Sequence, residues 1–230
     1  MSIMTFLRLR PNLEVEAFAG WLLPRVAAQF GSGARASSSC VVSAGRPQPD
    51  GFVLPANMRR EGGASEPWPP YSAAIVTDDF ELAADTTQAI SEWIDLSHSY
   101  RVTPTVIKDD GAIAVGQPSS GIKYLRGLTF HSDLPASSVR RSWANHANLA
   151  IDVHVGASRY VQWWVDEQLT ADAPRIGGVA ELHFAKVENL EERFFDSPRG
   201  AKEIVQDLAH FVAGGPPRLF ANDYVFCGQH

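Results

Sequence analysis

The 230-residue chain has two cysteines, Cys40 and Cys227, which stand far apart with no CxxC spacing. A disulfide framework and a cysteine-based zinc site are therefore excluded as organising principles. Basic charge is short as well: 20 Lys and Arg against 26 Asp and Glu leave a formal net charge of −6. The densest basic cluster is the pair Arg140-Arg141, too small for a phosphate-binding face, so no nucleic-acid partner is expected. No stretch approaches the roughly 18 apolar residues that cross a bilayer. The opening residues Met1 to Arg8 lack a basic segment leading into a long apolar run, so no secretion signal is visible. A cytoplasmic protein without membrane association is the expectation. Chemical signatures are missing too. No HExxH, no GxSxG and no Gly-rich loop between a strand and a helix occurs, which speaks against a zinc hydrolase, a serine nucleophile and a nucleotide cofactor.

What is present is core-forming material. Hydrophobic residues make up 45% of the chain, with six Trp and twelve Phe, and charged residues only 20%. That is enough for one large domain or two small ones, each with a real core. The pattern of elements then runs twice. In residues 1–110, Thr5–Arg10 reads as a strand, Leu13–Phe30 as a helix, and Arg35–Ser43 and Tyr71–Thr77 as strands. Leu82–Ile94 follows as a helix and Tyr100–Lys108 as a strand. The Pro- and Gly-rich stretch Arg46–Pro70 is a long excursion, long enough to wrap the other half. Residues 111–121, with Gly111, Gly116, Pro118 and Gly121, form the natural linker. Residues 122–230 repeat the order: strand Tyr124–His131, helix Ser138–Val153, strands Ser158–Glu167 and Gly178–Ala185, helix Ser197–Val212, strand Arg218–Phe226. The expected fold is α+β, two ferredoxin-like βαββαβ halves forming an intramolecular α/β barrel. Each half leaves one sheet face bare, so the two faces should meet and enclose a small-molecule chamber.

The second half carries the better local signals. Ser197-Pro198 is a helix cap followed by Pro at the first helical position. Ala201, Ile204, Val205, Leu208, Ala209 and Val212 then recur at helical spacing. Three stretches resemble the EthD family of the dimeric α/β-barrel superfamily. These are Trp143-Ala144-Asn145-His146-Ala147-Asn148-Leu149-Ala150, Ser158-Arg159-Tyr160-Val161-Gln162, and the run from Gly177-Gly178-Val179-Ala180-Glu181 to Phe194-Phe195-Asp196-Ser197-Pro198-Arg199-Gly200. Asn148 stands where that family has Pro, and the first half has no counterpart of His146. The resemblance covers about 100 residues. It implies a superfamily of binding proteins, cyclases and dehydratases, lactone isomerases, cofactor-free monooxygenases and haem enzymes, among which fold alone does not select.

Alternation places the candidate chemistry. On the helix from Ser138, Val139, Trp143, His146 and Ala150 share a face, which turns His146 toward the sheet or the cavity rim. The competing account is a buried core histidine with one hydrogen bond. On the strand from Gly178, Val179, Glu181 and His183 share the face opposite Ala180, Leu182 and Phe184. A carboxylate in the chamber should have its pKa raised by desolvation; the alternative is a solvent-facing Glu181 paired with an Arg. Tyr160, Gln162 and Trp164 share a face. Tyr160 is a hydrogen-bond donor to substrate, and Trp143 and Trp164 are stacking surfaces or ordinary core. His131 closes one end of the chamber or lies exposed, and His154 helps to end its helix. His146, His154, His183 and Glu181 lack metal-ligand spacing, so neither metal nor other cofactor is expected. The leading functional expectation is a cofactor-independent lyase, a dehydratase or cyclase, acting on an apolar aromatic or polyketide-like molecule. His146 or Glu181 would remove a proton next to a carbonyl, and His183 or Tyr160 would protonate the leaving hydroxyl or hold the enolate oxygen. The rivals are a non-catalytic small-molecule binding protein and an oxygenase, cofactor-free or haem-dependent. Association into a homodimer is compatible with all three.

Overall fold

A computed structural model describes residues 1–31, 38–53, 71–110, 114–214 and 218–227. The first run of elements is β1 (Ser2–Leu9), α1 (Val15–Gly31), β2 (Ser39–Arg46), β3 (Ala73–Thr77), α2 (Phe80–Ala89) and β4 (Ile94–Asp109). The second is β5 (Ile122–Phe130), α3 (Ala136–Val153), β6 (Arg159–Gln168), β7 (Gly178–Phe184), α4 (Val187–Arg193), α5 (Pro198–Ala209), β8 (Val212–Gly214) and β9 (Arg218–Cys227). Most strands and long helices lie within four residues of their expected places; the expected helix Leu82–Ile94 ends at Ala89, and the strand expected from Tyr100 begins at Ile94. The short helix α4 and the short strand β8 were not expected. The expected 46–70 excursion lies outside the described residues from position 54 onward.

Eight strands close on themselves. The order is β7-β6-β4-β1-β3-β2-β9-β5, and β5 returns to pair with β7, all antiparallel. Within each run the spatial order is fourth-first-third-second: β4-β1-β3-β2 and β9-β5-β7-β6. The two runs join along their edges, β4 with β6 over residues 100–109 and β2 with β9 over residues 39–46. Closure removes the unpaired strand edges that an open sheet would expose. β8 adds a short pairing to the end of β5.

Strand alternation decides what faces in. Met4 and Phe6 of β1, Ala74 and Val76 of β3, Tyr100 and Val102 of β4, Val161 and Trp163 of β6, Val179 of β7 and Leu219 and Ala221 of β9 form one buried cluster inside the barrel. Ala173 and Ile176, from the loop between β6 and β7, enter from one end and join it. Tyr100 fixes that loop by donating its hydroxyl to the Pro174 carbonyl at 2.8 Å. The expected greasy chamber is therefore corrected: a barrel of eight strands is just wide enough for side chains to fill, and here large aromatic and branched residues fill it.

The helices cover the outer face. Leu7, Leu9, Val42, Ala73 and Ile75 pack beneath α1 and α2 with Phe18, Leu22 and Val26. Tyr124, Tyr160, Leu182 and Phe184 pack beneath α3, α4 and α5 with Ala147, Ala150, Leu190 and Ile204. Residues 47–53 do reach across: Phe52, 3% exposed, sits against Tyr124, Phe194 and Phe220, and the Gly51 amide donates to Glu191.

Candidate functional site

A small cleft lies in the outer layer, between the sheet and α3 and α5, and a larger, more open one of about 330 Å³ lies between the start of α1, the end of β2 and Tyr71. The small cleft holds the candidate chemistry. Its walls include Tyr124, Arg126, Tyr160 and Leu182 from the strands, Trp143, His146 and Ala150 from α3, Ile204 and Leu208 from α5, and His154 and Phe194. Two local features set the helices. α5 starts where the Ser197 hydroxyl accepts from the Gly200 amide, with Pro198 at its first position. α3 turns Val139, Trp143, His146, Ala147, Ala150 and Val153 inward at a spacing of three and four residues. Where α3 and α5 meet, the His146 ring lies 5% exposed with Nδ1 2.7 Å from Asp207 Oδ2. A carboxylate oxygen accepts, so Nδ1 carries the proton and Nε2 keeps its lone pair. Burial pushes the His146 imidazole below its ordinary value, and Asp207 restores only part of this.

Three further polar groups line the same cleft: Arg126, whose charge adds to the lowering of the His146 pKa, His154 and Tyr160. His154, 7% exposed, ends α3, and its Nδ1 lies 2.6 Å from the Phe194 carbonyl. Burial takes its pKa down to about 4. The Tyr160 hydroxyl accepts from Gln162 Nε2 at 3.0 Å, and that amide also donates to the Trp143 carbonyl at 2.8 Å. Burial pushes the Tyr160 phenol up to about 12. The cleft is half-open, with a volume of about 40 Å³. A benzene-sized cavity is about 150 Å³ and one water takes about 10–15 Å³. The enclosed part thus takes a few waters or the leading edge of a larger molecule whose rings stay in the open mouth.

Glu181 and His183 do share the face expected of them, but that face is inside the barrel, across the sheet from His146. Glu181 is 2% exposed. Its Oε2 accepts from Trp163 Nε1 at 2.9 Å and lies 3.3 Å from Lys123 Nζ, while Arg159 stands 3.9 Å from Oε1. Lys123 also contacts Asp223 at 2.6 Å, and Ser43 donates to Asp223 at 2.7 Å. Burial alone would raise the Glu181 carboxyl, yet Lys123 and Arg159 outweigh it and hold the group below its usual range. The expected upward shift is corrected: a carboxylate locked between two cations is a poor proton acceptor. His183 faces this cluster with Nδ1 3.3 Å from Ser158 Oγ, and its buried Nε2 has no hydrogen-bond partner.

The remaining candidates divide. Trp143 lines the cleft, but its ring also packs on Trp164 at 4.4 Å and on Phe130 at 5.5 Å. Trp164 lies in that packing, covered from outside by Arg140 at 4.8 Å. His131 sits at the rim, its Nε2 3.1 Å from the Ala209 carbonyl, and lines no part of the cleft. A pairing of His146 with Glu181 or His183 across one substrate is therefore corrected, because the sheet stands between them. Asp207, Lys123 and Asp223 were not singled out from the sequence. Among the described residues no group of three or more His, Cys, Asp or Glu is placed to hold a metal ion, and no helix is long and apolar enough to cross a membrane.

No family model matches the chain, and no curated protein does. Solved structures match over almost its whole length at very low identity. An anthrone oxidase-like protein superposes with a TM-score of 0.59 at 10% identity, covering 97% of this chain and 91% of that one. A protein from Lactobacillus acidophilus, provisionally named a monooxygenase, gives 0.55 at 10% identity, covering 99% and 96%. Chlorite dismutase from Candidatus Nitrospira defluvii gives 0.53 at 7% identity, covering 96% and 90%. At such identities the likeness is one of fold. It shows the closed antiparallel α/β-barrel fold and carries nothing specific to the EthD family. These neighbours bear the names of an oxidase, a monooxygenase and a dismutase. Together with the sheet that separates His146 from Glu181, this overturns the dehydratase or cyclase expectation. The haem form of the oxygenase alternative meets an obstacle of its own. A macrocycle needs a pocket of several hundred Å³, and the described walls beside His146 leave a tenth of that.

Proposed function

We propose that the chain is a cofactor-independent oxidoreductase of the oxygenase kind, built from two fused ferredoxin-like halves, with its working site in the cleft beneath α3 and α5. The fourth-first-third-second strand order in both runs supports the tandem origin. One observation carries the chemistry: a neutral, buried His146 held by Asp207 at 2.7 Å, with no hydrogen-bond partner at Nε2 among the described residues, in a largely apolar cleft that Arg126 also lines. Such a group takes a proton from an acidic C–H or O–H presented to it. The resulting carbanion gives its electrons to dioxygen. For a methylene flanked by aromatic rings, the balance is one CH₂ and one O₂ to one C=O and one water. His146 carries the first proton and returns it to the departing oxygen. The room beside His146 admits the reacting group, and the rest of a larger substrate lies in the mouth of the cleft.

The test is oxygen uptake with anthrone, the compound in the name of one structural neighbour. The expected result is one O₂ consumed per ketone formed, with His146→Gln at least about 10²-fold slower and still folded. Uptake that equals the buffer background, or that survives His146→Gln unchanged, overturns the proposal. The modest size of the cleft favours a second reading, a binding protein for a small molecule, which predicts saturable binding without oxygen uptake.

A further inference from the structure

A second set of ionisable side chains stands where β4 enters the barrel. His98 precedes Tyr100 and Val102 on the inward face of that strand and is 3% exposed. Its Nδ1 lies 2.6 Å from the Tyr71 hydroxyl, while its buried Nε2 has no hydrogen-bond partner. The carboxylate beside that nitrogen is Asp172, with Oδ1 at 4.0 Å and a largely exposed side chain. The loop that carries Asp172 is held on both sides. Ser99 exchanges two backbone hydrogen bonds with Thr170, and the Tyr100 hydroxyl donates to the Pro174 carbonyl. The Gln168 amide donates to the carbonyls of Thr170, Ala171 and Ala173. The two residues after His98 thus set Asp172 beside it.

Charge decides the tautomer. A carboxylate attracts a proton on Nε2 and repels a lone pair there, so Nε2 carries the proton and Nδ1 accepts from the Tyr71 hydroxyl. A buried donor without an acceptor is costly, and Asp172 has to swing by only about 1 Å to supply one. Burial outweighs the pull of Asp172 and, with the charge of Arg8, holds the His98 imidazole below its ordinary value. It is neutral at pH 7 and able to take a proton. Burial pushes the Tyr71 phenol up, so this hydroxyl passes a proton on without existing as a free phenolate. Tyr71 is also part of the wall of the larger cleft, whose volume of about 330 Å³ exceeds that of a benzene-sized cavity, about 150 Å³. Glu14, Glu16 and Arg46 give the same wall a net negative charge, which disfavours an anion.

We propose that the larger cleft is a second ligand site, where Tyr71, His98 and Asp172 form a relay that draws a proton from a neutral aromatic molecule. The proposal goes beyond the oxygenase reading and uses none of the groups beneath α3 and α5. The ligand gives its acidic C–H or O–H proton to the Tyr71 oxygen and keeps the electron pair. Tyr71 gives its own proton to His98 Nδ1, and Asp172 stabilises the imidazolium that results.

Nitrobenzisoxazole is a suitable probe: loss of its ring C–H proton opens the N–O bond and leaves a coloured nitrophenolate. Turnover should be saturable, and Tyr71→Phe, which keeps the ring on Phe6, should slow it at least about tenfold. His98→Gln should do the same. Asp172 raises the His98 pKa, so Asp172→Asn should lower kcat and move the acid limb of the rate profile to lower pH. A merely structural role would leave that limb in place. Nitrogen-15 spectra of the free protein should show His98 with Nε2–H and an accepting Nδ1. If His98→Gln does not fold, the ring spectra and the other two variants decide alone. A bare His98 Nε2, turnover equal to the buffer background, turnover that survives Tyr71→Phe, or an acid limb unmoved by Asp172→Asn overturns the proposal.

Discussion

Replacing Lys123 with Met should cost about 3–5 kcal/mol of folding stability, the usual cost of stranding a buried charge. Lys123 is 2% exposed and lies 2.6 Å from Asp223 and 3.3 Å from Glu181. Burial alone would push its ammonium down, but the two carboxylates outweigh that and hold it above its ordinary value. Inside the barrel, Lys123 and Arg159 balance Glu181 and Asp223. The variant leaves Arg159, 3.9 Å from Glu181, as the one cation among the described residues of this cluster. Methionine fills similar volume, so the cost is electrostatic and should depend on pH. In the native chain the Glu181 pKa is depressed. Its contribution is therefore present above the unfolded value of about 4.3 and lost as pH falls through the folded one. Without Lys123, burial dominates and the sign reverses: the folded carboxyl is harder to ionise than the unfolded one, so the penalty appears as pH rises above about 4. Urea unfolding followed by Trp fluorescence at pH 4 and pH 7 measures both. The gap between native and variant should be largest at pH 7 and narrow at pH 4. A loss under about 1 kcal/mol at pH 7, or a gap independent of pH, would refute the reasoning.

Other consequences are as direct. His154 has its pKa taken down to about 4, against about 6.5 in the unfolded chain. Its contribution is thus complete above pH 6.5 and declines toward pH 4, by about 3 kcal/mol in all, and His154→Phe should flatten the stability profile in that window. Asp207 raises the His146 pKa and orients its ring. With anthrone, Asp207→Asn should lower kcat and move the acid limb of the rate profile to lower pH, whereas a purely structural role would leave that limb in place. Gly121 has φ +80°, and a Cβ there would overlap the Phe184 carbonyl, so Gly121→Ala should lower the thermal midpoint by several degrees. Burial pushes the Cys40 thiol up to about 12, and Cys227 is exposed. A thiol reagent should therefore modify one cysteine in the native protein and two after unfolding.

Much of this architecture could be read from alternation and helical spacing. Tyr160, Gln162 and Trp164 do face the helices while Val161 and Trp163 face inward, and α3 does bury Trp143, His146 and Ala150 together. Period alone assigns faces but does not say whether the space beyond a face is empty. Lys123 escaped notice because the strand begins at Ile122 and not at Tyr124, which hides the residue two places before Leu125 on the inward face. Asp223 alternates with Tyr224 and Phe226 in the same way. A lysine and two acidic residues at inward positions of three neighbouring strands were the available signal for a buried ion cluster. Asp207 had no such signal, since an acidic residue on an amphipathic helix ordinarily faces water. Only the packing of α5 against α3 gives it a partner 61 positions away.

The placement of the cleft follows from the closure of the barrel. Two ferredoxin-like sheets laid face to face can keep a chamber between them, because their separation adjusts to what they enclose. Two sheets joined along both edges have less latitude, since strand number, tilt and stagger together set the radius. Met4, Phe6, Tyr100 and Trp163 occupy that radius, and the ion cluster around Lys123 pins it. Among the described residues space remains where α3 and α5 meet the sheet, and between the start of α1, the end of β2 and Tyr71. This accounts for the separation of the two groups of ionisable residues. Those inside neutralise one another and hold the barrel shut, while His146 and His154 lie outside it, in the cleft beneath α3 and α5.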